Sequence, residues 1–259
     1  MRATTAPPDL PPATLGPYTD AQLRFARAAW PLRAAQELRS ARIFRALAKA
    51  ARAAMPEPWP SHFEEAVRDE IRHARLCVTV GERMGADKPR YDLRPVQARL
   101  AALPDAVSRT ASLLLVEVAI GETISTCLFR AGRRAAREHL TRAALGSILG
   151  DEARHQRLGW NAFATLWATL EEVGRVRAQK EASRGLAACE RQTAQPAMRW
   201  LQQRLPFDPA YAALGVLHPE ERIEAFYSAV ERLVVPRLTR LGLDGDAAWK
   251  ERYRTVVAP

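Results

Sequence analysis

Cysteine is scarce in this 259-residue chain, and its three copies, Cys77, Cys127 and Cys189, form no Cys-x-x-Cys pair. An odd, scattered set excludes a disulfide framework and a thiolate zinc or iron site, and it fits a reduced compartment. Lysine is nearly missing. Lys49, Lys88, Lys180 and Lys250 are the only four among 39 basic residues, so a formal charge of +10 is carried by arginines dispersed among abundant alanine. Clustered cations would point to phosphates; dispersed arginines point to composition, and nucleic acid is not an expected partner. No run of eighteen apolar residues exists, so no membrane partner is expected either. The first residues are rich in Pro, Ala and Thr but lack the continuous apolar stretch of a secretory signal. A flexible leader over 1–18 and a cytoplasmic location are the expectation. Tyrosine is absent between Tyr91 and Tyr211, and no stretch alternates as a strand does.

Helical period fills almost everything between Asp20 and Leu241, which predicts an all-α protein. Thr19 or Asp20 can cap a short helix that meets Pro31, where the chain kinks or starts again. A first long helix is expected over 32–54, stopped by the run Met55-Pro-Glu-Pro-Trp-Pro60. Ser61-His62-Phe63-Glu64 reads as a capping box opening a second helix to about Gly85. A long connection with Pro89, Pro95 and Pro104 comes next, then helices over about 105–135 and 140–173. Two further helices, near 175–205 and 219–241, complete the chain. The pattern is two short-turn helix pairs joined by one long crossover, a four-helix bundle over 19–173, with a C-terminal helical extension over 174–259 packed on it.

Two octapeptides are near copies: Asp69-Glu70-Ile71-Arg72-His73-Ala74-Arg75-Leu76 and Asp151-Glu152-Ala153-Arg154-His155-Gln156-Arg157-Leu158. Each holds Glu-x-x-His, which sets a carboxylate and an imidazole about 60° apart on one helical face. One copy alone is a weak signal; a second, one helix pair later with the same flanking residues, is not. On the preceding helices, Glu37 lies on a stripe with Trp30, Ala34, Ala41 and Phe44, and Glu122 on one with Leu115, Val118, Ala119 and Phe129. A lone buried carboxylate is costly unless compensated. Arg33 can compensate Glu37, or two metal ions can compensate all four acids. Glu37 precedes Glu70 by 33 residues and Glu122 precedes Glu152 by 30, comparable spacings that favour Glu122 over its competitor Glu117. The six candidate ligands are therefore Glu37, Glu70, His73, Glu122, Glu152 and His155. Four carboxylates balance two divalent ions, and oxygen with imidazole donors suits iron or manganese. Asp69 and Asp151 can accept the second N–H of a ligand histidine, and Arg72 and Arg154 can hold those aspartates. His62, His139 and His218 are expected at the surface or at helix ends, Cys77 and Cys127 in core packing. Phe44 or Trp160 can line a pocket. Gly121, Gly146 and Gly150 serve either room near the centre or close helix packing.

At these residues, over about 32–170, the chain resembles the ferritin-like di-iron carboxylate superfamily. The resemblance implies that Glu37, Glu70 and His73 hold one iron and Glu122, Glu152 and His155 the other, with some glutamates bridging, and Fe/Fe ahead of Mn/Fe or Mn/Mn. It implies dioxygen as co-substrate, an external electron donor such as a ferredoxin or reductase, and a small-molecule substrate; a homodimer is compatible with it. Departures narrow the field. The Cys-x-x-Cys module of rubrerythrins is missing, storage ferritins lack such a C-terminal extension, and aryl-amine N-oxygenases carry a histidine where Ile148 stands. A radical-generating reductase subunit needs a tyrosine near its iron. The expected function is a non-haem di-iron oxidase or oxygenase acting on a small organic molecule in specialised metabolism. A ferroxidase handling iron or peroxide and a tRNA-modifying hydroxylase are the alternatives.

Overall fold

A computed structural model describes residues 10–87 and 105–253, and among these every regular element is helical. The expected connection carrying Pro89, Pro95 and Pro104 lies outside the described residues, as do the first nine residues of the expected leader. Among the described residues eight helices run in order: α1 Asp20–Ala54, α2 Trp59–Arg83, α3 Ala106–Ala135, α4 His139–Trp167, α5 Glu172–Gln202, α6 Pro209–Ala213, α7 over 219–241 and α8 Gly245–Lys250.

Of the two outcomes expected at Pro31, a kink or a new helix, the new start does not occur. The first element is one helix of 35 residues, opened by a capping box in which Thr19 Oγ1 accepts from the Gln22 amide and Gln22 Oε1 accepts from the Thr19 amide. Buried neighbours hold it across the proline. Trp30 packs into the core and donates its indole N–H to the Leu214 carbonyl at 3.1 Å, so tertiary contacts outweigh one lost backbone hydrogen bond. The capping box expected at Ser61 does not form. Helix α2 begins two residues earlier, at Trp59, with Pro60 in its first turn, where a missing N–H costs nothing. Ser61 donates instead to Glu57, and Glu64 pairs with Arg52.

Helix α3 starts on Asp105, whose side chain accepts from the Ser108 amide. Its middle, Leu113–Gly121, is π-helical before α geometry resumes at Glu122. This helix is long and apolar enough to cross a membrane, but it is mostly buried inside the protein; its middle, apolar on nearly every side, is core. Buried Glu138 caps α4 by accepting from the Leu140 and Thr141 amides. The four long helices α1–α4 pack on one another, with Phe44, Leu47, Phe63, Leu114, Val118 and Phe163 in a shared core.

Close approach sets where α3 sits. A Cβ on Gly159 of α4 would lie 2.8 Å from the Ala119 nitrogen and 2.9 Å from the Val118 carbonyl carbon, and one on Gly185 of α5 would meet Val116 at 2.8 Å. Glycine at these two positions lets α4 and α5 touch the π-helical stretch directly. The C-terminal helices are fastened by Glu190 of α5, which accepts from the Tyr227 hydroxyl of α7 at 2.6 Å, from Arg252 at 2.8 and 3.0 Å, and from Tyr253. Short helices α6 and α8 carry no long amphipathic pattern and were not anticipated.

Candidate metal centre

Each of α1–α4 presents one glutamate to the same interior point, and α2 and α4 add one histidine each. All six side chains, Glu37, Glu70, His73, Glu122, Glu152 and His155, are buried. Ligand atoms of Glu37, Glu70, His73 and Glu152 all lie within 4.8 Å of one another, and so do those of Glu70, Glu122, Glu152 and His155. Glu70 and Glu152 belong to both groups. The cluster thus has two ends, Glu37 with His73 and Glu122 with His155, joined by two central carboxylates.

The orientation of the rings is decisive. His73 Nε2 donates to Asp151 Oδ2 at 3.0 Å and His155 Nε2 donates to Asp69 Oδ2 at 3.2 Å. A carboxylate only accepts, so each Nε2 carries the proton and each Nδ1 of a neutral ring offers a lone pair to the interior. There His73 Nδ1 stands 3.2 Å from Glu152 Oε1, 3.6 Å from Glu37 and 3.7 Å from Glu70, and His155 Nδ1 stands 2.9 Å from Glu70 Oε1. None of these contacts is aligned as a hydrogen bond for Nδ1: both Nδ1 atoms, both Glu70 oxygens and Glu152 Oε2 are buried without one. Lone pairs facing carboxylate oxygens repel unless a positive charge lies between them. Either protons on the imidazoles or metal ions supply it.

Without metal, protons do. Burial disfavours the charged form of His155, but its bond to Asp69 and the close Glu70 carboxylate win and lift it to about 9; burial opposes charge on His73 too, and Asp151, Glu152, Glu37 and Glu70 overcome it with a still stronger rise. Burial raises Glu37 to about 8, with His73 opposing and the charges of Glu70 and Glu152 adding. Burial and then repulsion from Glu152 and Glu70 push Glu122 well above the carboxylate range. Burial would raise Glu70 too, yet the two histidines hold it at about 2. Without metal, the cluster therefore binds protons more tightly at His73, His155, Glu37 and Glu122 than the free side chains do.

No family model matches this chain, and comparison with curated proteins finds no similar sequence. Around the six side chains, Asp69 and Asp151 are held in turn by both arginines: Arg72 reaches Asp69 at 3.1 Å and also Asp151, and Arg154 reaches Asp69 at 2.5 Å and Asp151 at 3.0 Å. Burial pushes Asp69 up, but bonds from His155 and Arg154 hold it at about 2; Asp151 is lowered against burial chiefly by His73 and Arg72.

The competitor Glu117 is 2.9 Å from Arg39 rather than in the cluster. It is not turned away as α geometry implies: π-helical pitch stacks residues five apart more nearly above each other, and Glu117 and Glu122 line one cavity of about 210 Å³. That cavity runs from Glu37 and Glu122 past Phe44, and its far wall is Gly185, Cys189 and Gln192 of α5. Trp160 is not in its lining; it is buried and donates to Thr123. Arg33 does not hydrogen-bond Glu37 but donates to the Gly215 carbonyl at 2.5 Å. Among the glycines, Gly121 lines the cavity, whereas Gly146 faces Arg133 and Gly150 faces open space, so neither makes room at the centre. His62 and His139 are exposed, His218 caps α7, and Cys77 is core.

Sequence reasoning missed Arg39 and the α5 wall. The run Leu113-Leu-Leu-Val-Glu-Val-Ala-Ile120 is apolar on almost every side, so its register carries no period from which a π turn can be read.

Proposed function

We propose that this chain is a dinuclear non-haem metal oxidoreductase built on a ferritin-like four-helix bundle, α1–α4, with α5–α8 as an extension that shapes the substrate cavity. The observation that carries the reading is the pair of buried Nδ1 lone pairs aimed at Glu70 and Glu152, of whose four oxygens three are buried without a hydrogen bond. This donor set fits two divalent ions of the iron or manganese kind. Glu37 and His73 would hold one ion, Glu122 and His155 the other, and Glu70 and Glu152 both. Two iron ions would supply the electrons with which dioxygen is reduced, replenished by an external donor protein.

The chain's own residues do the rest. Asp69 and Asp151 fix the imidazole tautomers, so both lone pairs stay aimed inward. Of the six, Glu37 and Glu122 alone line the cavity, and both have raised proton affinity. They are the two metal-holding carboxylates that a substrate in the cavity would meet, and their proton affinity would fall once metal replaces the protons they carry without it. Phe44 and Ile43 keep water from that face.

A cavity walled by the extension favours an organic substrate over iron handling alone. The arginine-rich groove of Arg42, Arg45, Lys49, Arg52 and Arg68 shares no lining residue with it, which speaks against an RNA base entering there. The test is dioxygen uptake by iron-loaded protein under single-turnover conditions. Wild type should consume dioxygen in proportion to bound iron, and Glu122→Ala, which removes a metal ligand, should lose at least about 90% of the rate, the roughly tenfold minimum that losing even an outer partner of a ligand costs. Uptake that ignores this substitution would contradict the reading.

A further inference from the structure

A second, smaller cavity of about 130 Å³ lies beside the first, and Gln36, Ser125, Leu128 and Phe129 line both. Its walls are mostly apolar, yet Arg33 of α1 and Arg222 of α7 both face it. Arg33 lies over the Trp30 ring at 4.8 Å and donates through Nη2 to the Gly215 carbonyl, while its Nη1 is buried with no partner. The Arg222 side chain makes no hydrogen bond or ion pair among the described residues. Burial lowers the basicity of both guanidinium groups, Arg33 to about 10, and the charge of Arg222 adds to the effect at Arg33. Glu37, one turn along α1, lends Arg33 some attraction, but its carboxylate is turned to the histidines.

Two partly desolvated cations lining one small cavity, neither paired with an acid, are unfavourable in the empty protein. An oxyanion between them removes that cost and takes the charge-assisted hydrogen bonds that guanidinium groups make best. We propose that Arg33 and Arg222 form the anion subsite for a substrate carboxylate, and that the substrate is a small acid with a short apolar chain. The chain lies along Leu128 and Phe129 and brings its far carbons to the cavity face of Glu37 and Glu122. This deepens the oxidoreductase reading and rests on it for the word substrate; the anion subsite itself rests on the arginines.

Calorimetric titration of the full-length, metal-free protein with hexanoate, hexanamide and inorganic phosphate tests it. Hexanoate should bind at least about tenfold more tightly than its neutral isostere, the ratio expected for a hydrogen bond to a charged partner. Arg222→Gln should abolish that preference while leaving weak hexanamide binding unchanged, and its melting curve should match wild type. Arg33→Gln should do the same to binding, although losing the Gly215 contact can lower its melting temperature. Equal affinity for hexanoate and hexanamide, or full discrimination in Arg222→Gln, overturns the proposal. Phosphate binding without hexanoate binding also overturns it, by marking a free-oxyanion site. In cobalt-loaded protein hexanoate should shift the visible absorption bands, and Arg222→Gln should remove the shift. Cobalt uptake with no discrimination would sink the subsite and leave the metal reading; discrimination without uptake would do the reverse.

Discussion

His73 donates its Nε2 proton to Asp151, a residue 78 positions away on another helix, and not to Asp69, which precedes it by one turn. His155 reciprocates with Asp69. Each motif therefore braces the other's histidine, and the duplicated octapeptide works as an exchanged pair rather than as two self-contained units.

That exchange predicts which half of the centre fails. Asp151→Ala should weaken the metal held by His73, and Asp69→Ala the one held by His155, each by about 10- to 100-fold. Arg72→Ala should do less than either, because Arg154 also reaches both aspartates. Metal titrations of the three variants, followed by the spectroscopic change at each site, check the order.

Proton release gives a second prediction. His73, His155, Glu37 and Glu122 all have folded-state proton affinities above their ordinary values. Metal must displace those protons, so loading two ions near pH 6.5 should release at least about two protons per chain, those of His155 and Glu37. Affinity should climb as pH rises, through about 8 where Glu37 gives up its proton and about 9 where His155 does. Calorimetry in buffers of different ionisation enthalpy counts the protons. Stability has the matching sign. Groups that bind protons more tightly when folded stabilise the metal-free protein at low pH, and for Glu37 and His155 this contribution is lost as pH rises from the unfolded values through about 8 and about 9 respectively. The gain in melting temperature on adding metal should therefore grow between about pH 6 and 9.

Glu122→Gln and Glu117→Gln should separate cleanly. The first removes a carboxylate from the buried cluster and should drop metal content towards one ion per chain. The second leaves two ions bound and changes only the Arg39 side of the cavity. Elemental analysis after gel filtration reads the difference.

The glycines offer a packing test. Gly159→Ala drives a methyl against backbone atoms of α3 and should cost about 1–3 kcal/mol in urea unfolding, with reduced metal content because Glu122 moves with the displaced stretch. Gly150→Ala meets nothing within 4 Å and should stabilise the exposed face of α4 by up to about 1 kcal/mol.

The helical class and the six converging side chains were legible because both leave marks in one dimension. Buried helices repeat every three to four residues, and a duplicated Asp-Glu-x-Arg-His repeats outright. What stayed hidden depends on contacts. Pro31 sits within an unbroken helix because Trp30 and Leu214 hold it there. The capping box at Ser61 lost to a start at Trp59 that uses Pro60. The exchange of aspartates between motifs cannot be told from self-pairing by spacing, since both partners have the same sequence. The π turn before Glu122 hides in a run where nearly every face is apolar. Arg222, 185 positions after Glu37 in the chain, has no local pattern linking it to the centre.

Anomalous diffraction at the iron edge, on crystals of iron-loaded protein, tests the central claim most directly. Two peaks roughly 3.5–4 Å apart are expected, one against His73 Nδ1 and Glu37, the other against His155 Nδ1 and Glu122, with Glu70 and Glu152 touching both. No peak among these six side chains, with their protons retained at neutral pH, would contradict the account.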